Sequence, residues 1–212
     1  MRLSRTAGDA RTLGLALTGL GVAGSWGTGQ DRGRVAALLT EALDLWRALD
    51  WPVGQHMALV NLGLIAYLAG DLEDAETHQR AALAIAEQIQ APYRLGSSHM
   101  LVAHLELRRG NTQAAARLLR QALREFQRIA DPLMTANCLF GLALAAGAEG
   151  SYPLAANLLG AAAARYEASG TRLLPALDHE YQALLSATRT ALGTGSFALT
   201  ETRPARAGDV RP

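Results

Sequence analysis

The chain has 212 residues, half of them apolar, and its basic and acidic side chains leave a formal charge of +1. The apolar content is ample for a buried core, while the near-zero charge gives no electrostatic reason to expect nucleic acid or an acidic membrane surface as a partner. Every basic residue is arginine, so the chain has no lysine for a P-loop or for Schiff-base catalysis. The single cysteine, Cys138, fits a reducing compartment, and we expect a cytoplasmic protein.

The first predicted element is an apolar run over residues 13–23, which follows several arginines. That order is typical of a secretory signal, but Asp9 precedes the run and glycines interrupt it. The alternative is a first helix of the repeat array described next, and the sequence leaves both interpretations open. Residues 1–10 are expected to be a flexible N-terminus, and no other segment has the roughly 20 uninterrupted apolar residues of a membrane span.

From there the chain repeats with a period of forty residues. When the sequence is written in rows of forty residues, Gly70, Gly110 and Gly150 fall in one column. Each is followed by a residue that caps helices, namely Asp71, Asn111 and Ser151. Glycine accepts the left-handed conformation that ends one helix, and the capping oxygen accepts from the first amides of the next helix. A second column holds Pro52, Pro92 and Pro132, which mark the connection into the following unit. Each unit is therefore predicted to be a helical hairpin.

Small and large apolar residues also recur by column at helical spacing. In the second helix of each unit, alanine recurs and one position is aromatic in three of the four units. In the first helix, a large residue stands beside a small one, as in Leu62 and Gly63, so that neighbouring backbones can approach closely. The columns of the second helix are Val35, Ala75, Ala115 and Ala155, then Ala42, Ala82, Ala122 and Ala162, then Trp46, Ala86, Phe126 and Tyr166.

These columns explain the glycine-rich string "GLGVAG" at residues 19–24. The string fits the dinucleotide fingerprint, which requires a preceding β-strand and a surrounding βαβ unit, whereas here a helical hairpin follows. Leu20 and Gly21 instead align with Leu62 and Gly63 when two extra residues are allowed. The string is interpreted as a glycine-weakened first repeat, which should be the least ordered unit because each helical glycine costs about 1 kcal/mol.

The stretch "LVNLGLIAYLAGDLEDAETHQRAALAIAE" resembles a tetratricopeptide repeat in its Leu62 and Gly63, its Gly70–Asp71 turn, Ala75 and Ala82. The period of forty is longer than the family's usual 34 residues. Stretches such as "ARLLRQALREFQRIADP" are similar to the helical arrays of bacterial signal-transduction ATPases and LuxR-type regulators. The resemblance implies an all-α, right-handed α-solenoid of about four hairpins. The sequence shows no ATPase segment and no DNA-reading helix-turn-helix, so the resemblance does not imply ATP hydrolysis or DNA binding.

The C-terminal part is predicted to close the array. A set of residues at helical spacing suits a capping helix that covers an otherwise exposed apolar face. The array is expected over residues 11–192, and residues 193–212 are expected to be a flexible tail. The capping set is Leu177, Tyr181, Leu184, Leu185, Thr188 and Leu192.

The first helices of stacked hairpins line a concave groove, and the apolar, methionine-containing lining favours a peptide or an amphipathic partner helix. The alternative is that the longer helices bury this lining within the array. The predicted groove residues are Met57, Val60, Leu64, Tyr67, Met100, His104, Leu107, Phe140 and Leu144.

Two polar residues interrupt apolar columns, namely His78 in the second unit and Glu106 in the third. Chain reversal near Pro92 would bring them level with each other, and a buried carboxylate needs a donor. They are predicted to form a polar core pair, with a locally exposed seam or a ligand or pH-sensing site as the alternatives.

The remaining chemistry is sparse. His99 and His104 are five residues apart, which places them on different helix faces and argues against a zinc site. Arg117, Arg120 and Arg124 follow one side of a helix without interleaved aromatic residues, which favours a solvated face over a nucleic-acid surface. No cofactor and no catalytic set are expected. The sequence predicts a non-catalytic protein-interaction module, or alternatively an orphaned regulator fragment whose apolar surface docks intramolecularly or self-associates.

Overall fold

A computed structural model describes residues 7–26, 32–171, 173 and 178–193. These residues form nine α-helices and no strand, which confirms the predicted all-α class. The helices are α1 (Ala7–Trp26), α2 (Arg32–Ala48), α3 (Pro52–Ala69), α4 (Leu72–Ile89), α5 (Pro92–Arg108), α6 (Thr112–Arg128), α7 (Pro132–Ala148), α8 (Tyr152–Ala168) and α9 (Asp178–Leu192).

The chain divides into two compact units, and the division falls inside α5, between Leu105 and Glu106. In the first unit α1 packs against α2, α2 against α3, and α3 against α4. In the second unit α6 packs against α7, α7 against α8, and α9 against both α7 and α8. Each unit thus has the serial packing of a helical-repeat array, as the periodic columns predict.

The turns follow the predicted chemistry. Gly70, Gly110 and Gly150 all have left-handed φ angles, of 85°, 79° and 74°. The Asp71 carboxylate accepts a hydrogen bond from the Asp74 amide at 3.1 Å and caps α4. Asn111 and Ser151 make no such bond, so the expected cap is confirmed only once among the three.

Proline also has the expected place, because it is the first residue of α3, α5 and α7. Two positions before each proline the backbone is left-handed although the residues are not glycine: Asp50, Gln90 and Ala130 have φ of 46°, 51° and 54°. This non-glycine turn recurs with the forty-residue period, and the sequence analysis did not identify it.

The cores of both units consist of the predicted columns. The alanines are completely or almost completely buried, so the helix backbones approach closely and the aromatic column fills the space between them. In α9, Tyr181, Leu184 and Thr188 are buried, which confirms the closing helix. Leu177 of the predicted capping set lies outside the described residues. The buried column residues include Ala75, Ala82, Ala115, Ala122, Ala155, Ala162, Trp46, Phe126 and Tyr166.

Two glycines of α1 are packing residues. A Cβ atom added to Gly14 would lie 2.6 Å from the Trp46 ring, and one added to Gly21 would lie 2.4 Å from Leu39. Gly63 meets Gln79 in the same way, which supports the alignment of Gly21 with Gly63. Leu20, however, is 60% exposed whereas Leu62 is 6% exposed. The string at residues 19–24 lies within α1, as expected for a repeat rather than a dinucleotide fingerprint.

The sequence predicts a flexible segment at each end of the helical array. Helix α1 begins at Ala7, so residues 7–10, which the sequence analysis assigned to a flexible terminus, are helical. The expected tail after Gly193 lies outside the described residues. Within the described part of the chain, no helix is long and apolar enough to cross a membrane.

Candidate protein-interaction surface

The best candidate for a recognition surface is a stripe along α3. Half of the residues of this helix are buried, because α2, α4 and α1 pack around it. The partly exposed exceptions include Met57, Val60, Leu64 and Tyr67, which follow one another at spacings of three, four and three residues. Such spacing places them on one side of the helix. The result is an apolar, uncharged stripe on a rigidly packed helix.

Helix α5 adds one member to this surface. The rings of Tyr67 and His104 meet edge to face, with centroids 6.5 Å apart. Burial lowers the pKa of His104 to about 4, so its imidazole is neutral at neutral pH. We call the surface formed by Met57, Val60, Leu64, Tyr67 and His104 the α3–α5 face.

Two of the other four predicted groove residues are buried. Met100 and Phe140 are 8% and 1% exposed, and the Phe140 ring packs against Tyr181 of α9 with centroids 5.9 Å apart. The closing helix therefore buries Phe140 in the core of the second unit, and it is not part of a recognition surface. Leu107 and Leu144 are partly buried and belong to the second unit.

Each member of the expected polar core pair has a local partner. His78 Nε2 lies 3.4 Å from Asp74 Oδ1, one turn earlier on the same helix. Glu106 Oε2 accepts a hydrogen bond of 2.8 Å from the Asn111 side chain across the α5–α6 turn. Both polar residues are only partly buried, so the local partner and solvent can satisfy each of them. The i,i+4 spacing of Asp74 and His78 was a local signal that favoured this arrangement.

Sequence reasoning missed a buried polar cluster between α3 and α5. His56 Nε2 lies 2.9 Å from Ser98 Oγ, and His56 Nδ1 lies 3.5 Å from Arg94 Nη1. Guanidinium can only donate, so Nδ1 is the acceptor and Nε2 carries the proton that is donated to Ser98. Burial and the nearby Arg94 charge lower the pKa of His56 to about 4. The sequence contained one signal of this cluster: in the forty-residue alignment, His56 stands where the following units have the small residues Gly96 and Ala136.

This cluster is poorly suited to nucleophilic catalysis. Catalytic His–Ser pairs use a carboxylate to orient the imidazole and to stabilise the imidazolium that forms. Here the guanidinium of Arg94 lies on that side of His56, and a second positive charge beside it is unfavourable. Ser98 is also completely buried. The cluster fixes the packing of α3 against α5.

Other charged groups form no site within the described residues. No group of three His, Cys, Asp or Glu side chains there could hold a metal ion. The α6 residues Arg117, Arg120, Arg124 and Arg128 are exposed. Arg128 pairs with Glu125 at 2.9 Å.

Comparison with known proteins supports the repeat architecture. Residues 54–128 match the family model described as tetratricopeptide repeat. This segment extends from α3 to α6 and includes the whole α3–α5 face. The fold and the match support an all-helical repeat array of the tetratricopeptide type over this segment. No curated protein matches the chain.

Proposed function

We propose that the chain is a non-catalytic protein-recognition module whose α3–α5 face binds an amphipathic helix or peptide of a protein partner. Tetratricopeptide repeats generally mediate protein–protein interactions, and the match covers this face. The observation that carries the proposal is the uncharged row of partly exposed side chains on α3, a helix whose other side is buried.

The composition of the face favours an apolar helix over a charged tail. Met57 is an unbranched and adaptable side chain, and Tyr67 offers a large apolar ring with a polar tip. A partner helix with apolar residues at positions i, i+3 and i+7 matches the spacing of the α3 stripe. Neutral His104 adds no charge that would repel such a partner.

We also propose a cellular role and compartment for this module. The resemblance of the sequence to the helical arrays of bacterial regulators favours a sensing or scaffolding module in the cytoplasm. The alternative is an orphaned regulator domain whose apolar surface serves intramolecular docking or self-association. Binding of selected peptides to the α3–α5 face favours recognition, whereas self-association through that face favours the alternative.

A peptide-display library with randomised apolar positions on a helical scaffold tests the proposal. We expect enriched amphipathic peptides that bind the unmodified chain, bind Leu64→Glu at least tenfold more weakly, and bind Ala84→Glu normally. Ala84 is exposed on α4, so this second variant controls for the added charge. Melting curves check that Leu64→Glu is folded, and Met57→Glu replaces it if it is not. Failure to enrich such peptides, or equal binding by all variants, contradicts the proposal.

A further inference from the structure

A second surface lies on α1 and is independent of the α3–α5 face. The side of α1 that points away from the core exposes two leucines, Leu15 at 47% and Leu20 at 60%. Four neighbouring residues on this side are also exposed, and none of the six is charged. We call this set the α1 face; it comprises Thr12, Leu15, Ala16, Gly19, Leu20 and Ala23.

Two residues of α3 that align with the α1 face are buried against neighbouring helices. Because Gly21 corresponds to Gly63, Ala16 corresponds to Ala58 and Leu20 to Leu62. In α3 these two counterparts are 0% and 6% exposed, and they belong to the core that α2 helps to build. In α1 the same positions are open, and no described residue covers them. The α1 face therefore has the residue types of a helix-packing surface, although no described helix packs against it.

The pattern of the α1 face is chemically self-complementary. When two copies of α1 run antiparallel about a point midway between Leu17 and Thr18, residue numbers that add to 35 lie opposite each other. Leu15 then meets Leu20, and Ala16 meets Gly19. A large residue faces a large one and a small residue faces a small one, so the two backbones can approach closely. We propose that the α1 face is the contact surface for a second copy of this chain, packed antiparallel in a twofold-symmetric pair.

Gly19 makes the close approach possible. A Cβ atom at this position would meet no atom of the described residues within 4 Å, so nothing in that part of the chain requires glycine there. This distinguishes it from Gly14 and Gly21, which face Trp46 and Leu39. A contact through one helix face is small compared with the roughly 1,200 Å² of stable interfaces, so the pair should be weak and concentration-dependent.

Sedimentation velocity of the full chain from about 1 to about 200 µM tests the proposal. We expect the average mass to rise toward that of a dimer, and Leu20→Glu to weaken association at least tenfold. Leu154→Glu should associate like the unmodified chain, because Leu154 is an equally exposed leucine of α8, at 49%. A monomer throughout this range, or equal association of both variants, overturns the proposal.

Gly19→Leu is the second variant, and it separates binding from folding. The added side chain enters open space and improves helix propensity, so the monomer should melt at an equal or higher temperature. The same side chain blocks the close approach of the two helices, so association should be lost. Association of Gly19→Leu at the unmodified level would contradict the antiparallel packing. Peptide binding by the α3–α5 face should be unchanged in this variant, so the two proposals fail separately.

Discussion

Trp46 Nε1 donates a hydrogen bond of 3.0 Å to Thr18 Oγ1, and the same hydroxyl donates 2.8 Å to the Gly14 carbonyl. Trp46 and Thr18 are 0% and 1% exposed, so this chain of hydrogen bonds joins α1 to α2 inside the core. The edge of the Trp46 ring also meets Trp51, with centroids 4.6 Å apart. The glycine-rich first helix is therefore held by specific packing.

Substitution of Thr18 tests this link. Thr18→Val keeps the shape of the side chain but removes the acceptor for the buried Trp46 N–H. We expect a loss of about 1 to 3 kcal/mol in the free energy of unfolding, because an unpaired buried donor costs its desolvation. Urea unfolding measures the change, and Thr40→Val on the exposed face of α2 is the matched control. Equal stabilities of the two variants would contradict the role of the link.

The glycines of α1 should respond in opposite directions to alanine. Gly14→Ala places a Cβ atom 2.6 Å from the Trp46 ring, and we expect destabilisation of about 1 to 3 kcal/mol from overpacking. Gly19→Ala meets no atom and should stabilise the helix by about 0.5 to 1 kcal/mol. Thermal melting of both variants checks the signs. Stabilisation by Gly14→Ala would show that the close contact is absent.

Gln79 is a polar residue in a leucine column, and its removal should be tolerated. It is 2% exposed and its Nε2 donates to the Val60 carbonyl at 3.0 Å, but its Oε1 is buried without a partner among the described residues. Gln79→Leu removes that unpaired acceptor, and we expect a change between zero and about 1 kcal/mol of stabilisation. Leu119→Gln, in the same column, should destabilise by about 2 kcal/mol or more. Chemical denaturation of both variants measures the contrast, and a large loss in Gln79→Leu would contradict it.

The buried histidines predict a pH dependence of stability. The pKa of His56 is lowered to about 4, from an ordinary value of 6.5. The unfolded chain therefore binds more protons between pH 4 and 6.5, so the free energy of unfolding should fall as pH decreases through this window and be level above it. The contribution of His56 is on the order of 1 to 3 kcal/mol.

The pH dependence is measured by denaturation at several pH values. His56→Gln should reduce the slope between pH 4 and 6.5 relative to the unmodified chain, because the carboxylates titrate in both proteins. His78→Gln is the control, since His78 is only partly buried beside Asp74. Identical slopes for the unmodified chain and His56→Gln would exclude the buried neutral imidazole.

Cys138 should report on the opening of the second unit. It is 0% exposed, and burial raises the pKa of its thiol to about 12, so the reactive thiolate is scarce in the folded state. Labelling by a thiol reagent at pH 8 should be at least a hundredfold slower than in denaturant. Rapid labelling under native conditions would contradict the packing of α7.

The repeat period made much of the fold predictable. Glycine, proline and alanine have local backbone and packing requirements, so the columns at Gly70, Pro52 and Ala75 identify turns and core without three-dimensional information. The expected pair of His78 and Glu106 stays a prediction, because pairing across helices depends on side-chain direction and on competing local partners, which one-dimensional alignment does not contain.

The candidate site was predictable only in part. Helical spacing identified Met57, Val60, Leu64 and Tyr67, whereas Phe140 occupies a similar position and is buried. The difference arises because α9 packs over α7, and the packing of a closing helix is specific to one end of an array. His56 was missed because a single polar residue in a small-residue column gives no sign of its partners.

The most direct measurement for the proposed recognition is methyl NMR of the full chain titrated with a peptide from the helical display library. We predict that the methyl signals of Met57, Val60 and Leu64 shift with peptide concentration, while those of the exposed Leu154 and of the α1 leucines do not. Shifts centred on α1 or α8, with the α3 methyl signals unchanged, would contradict recognition by the α3–α5 face.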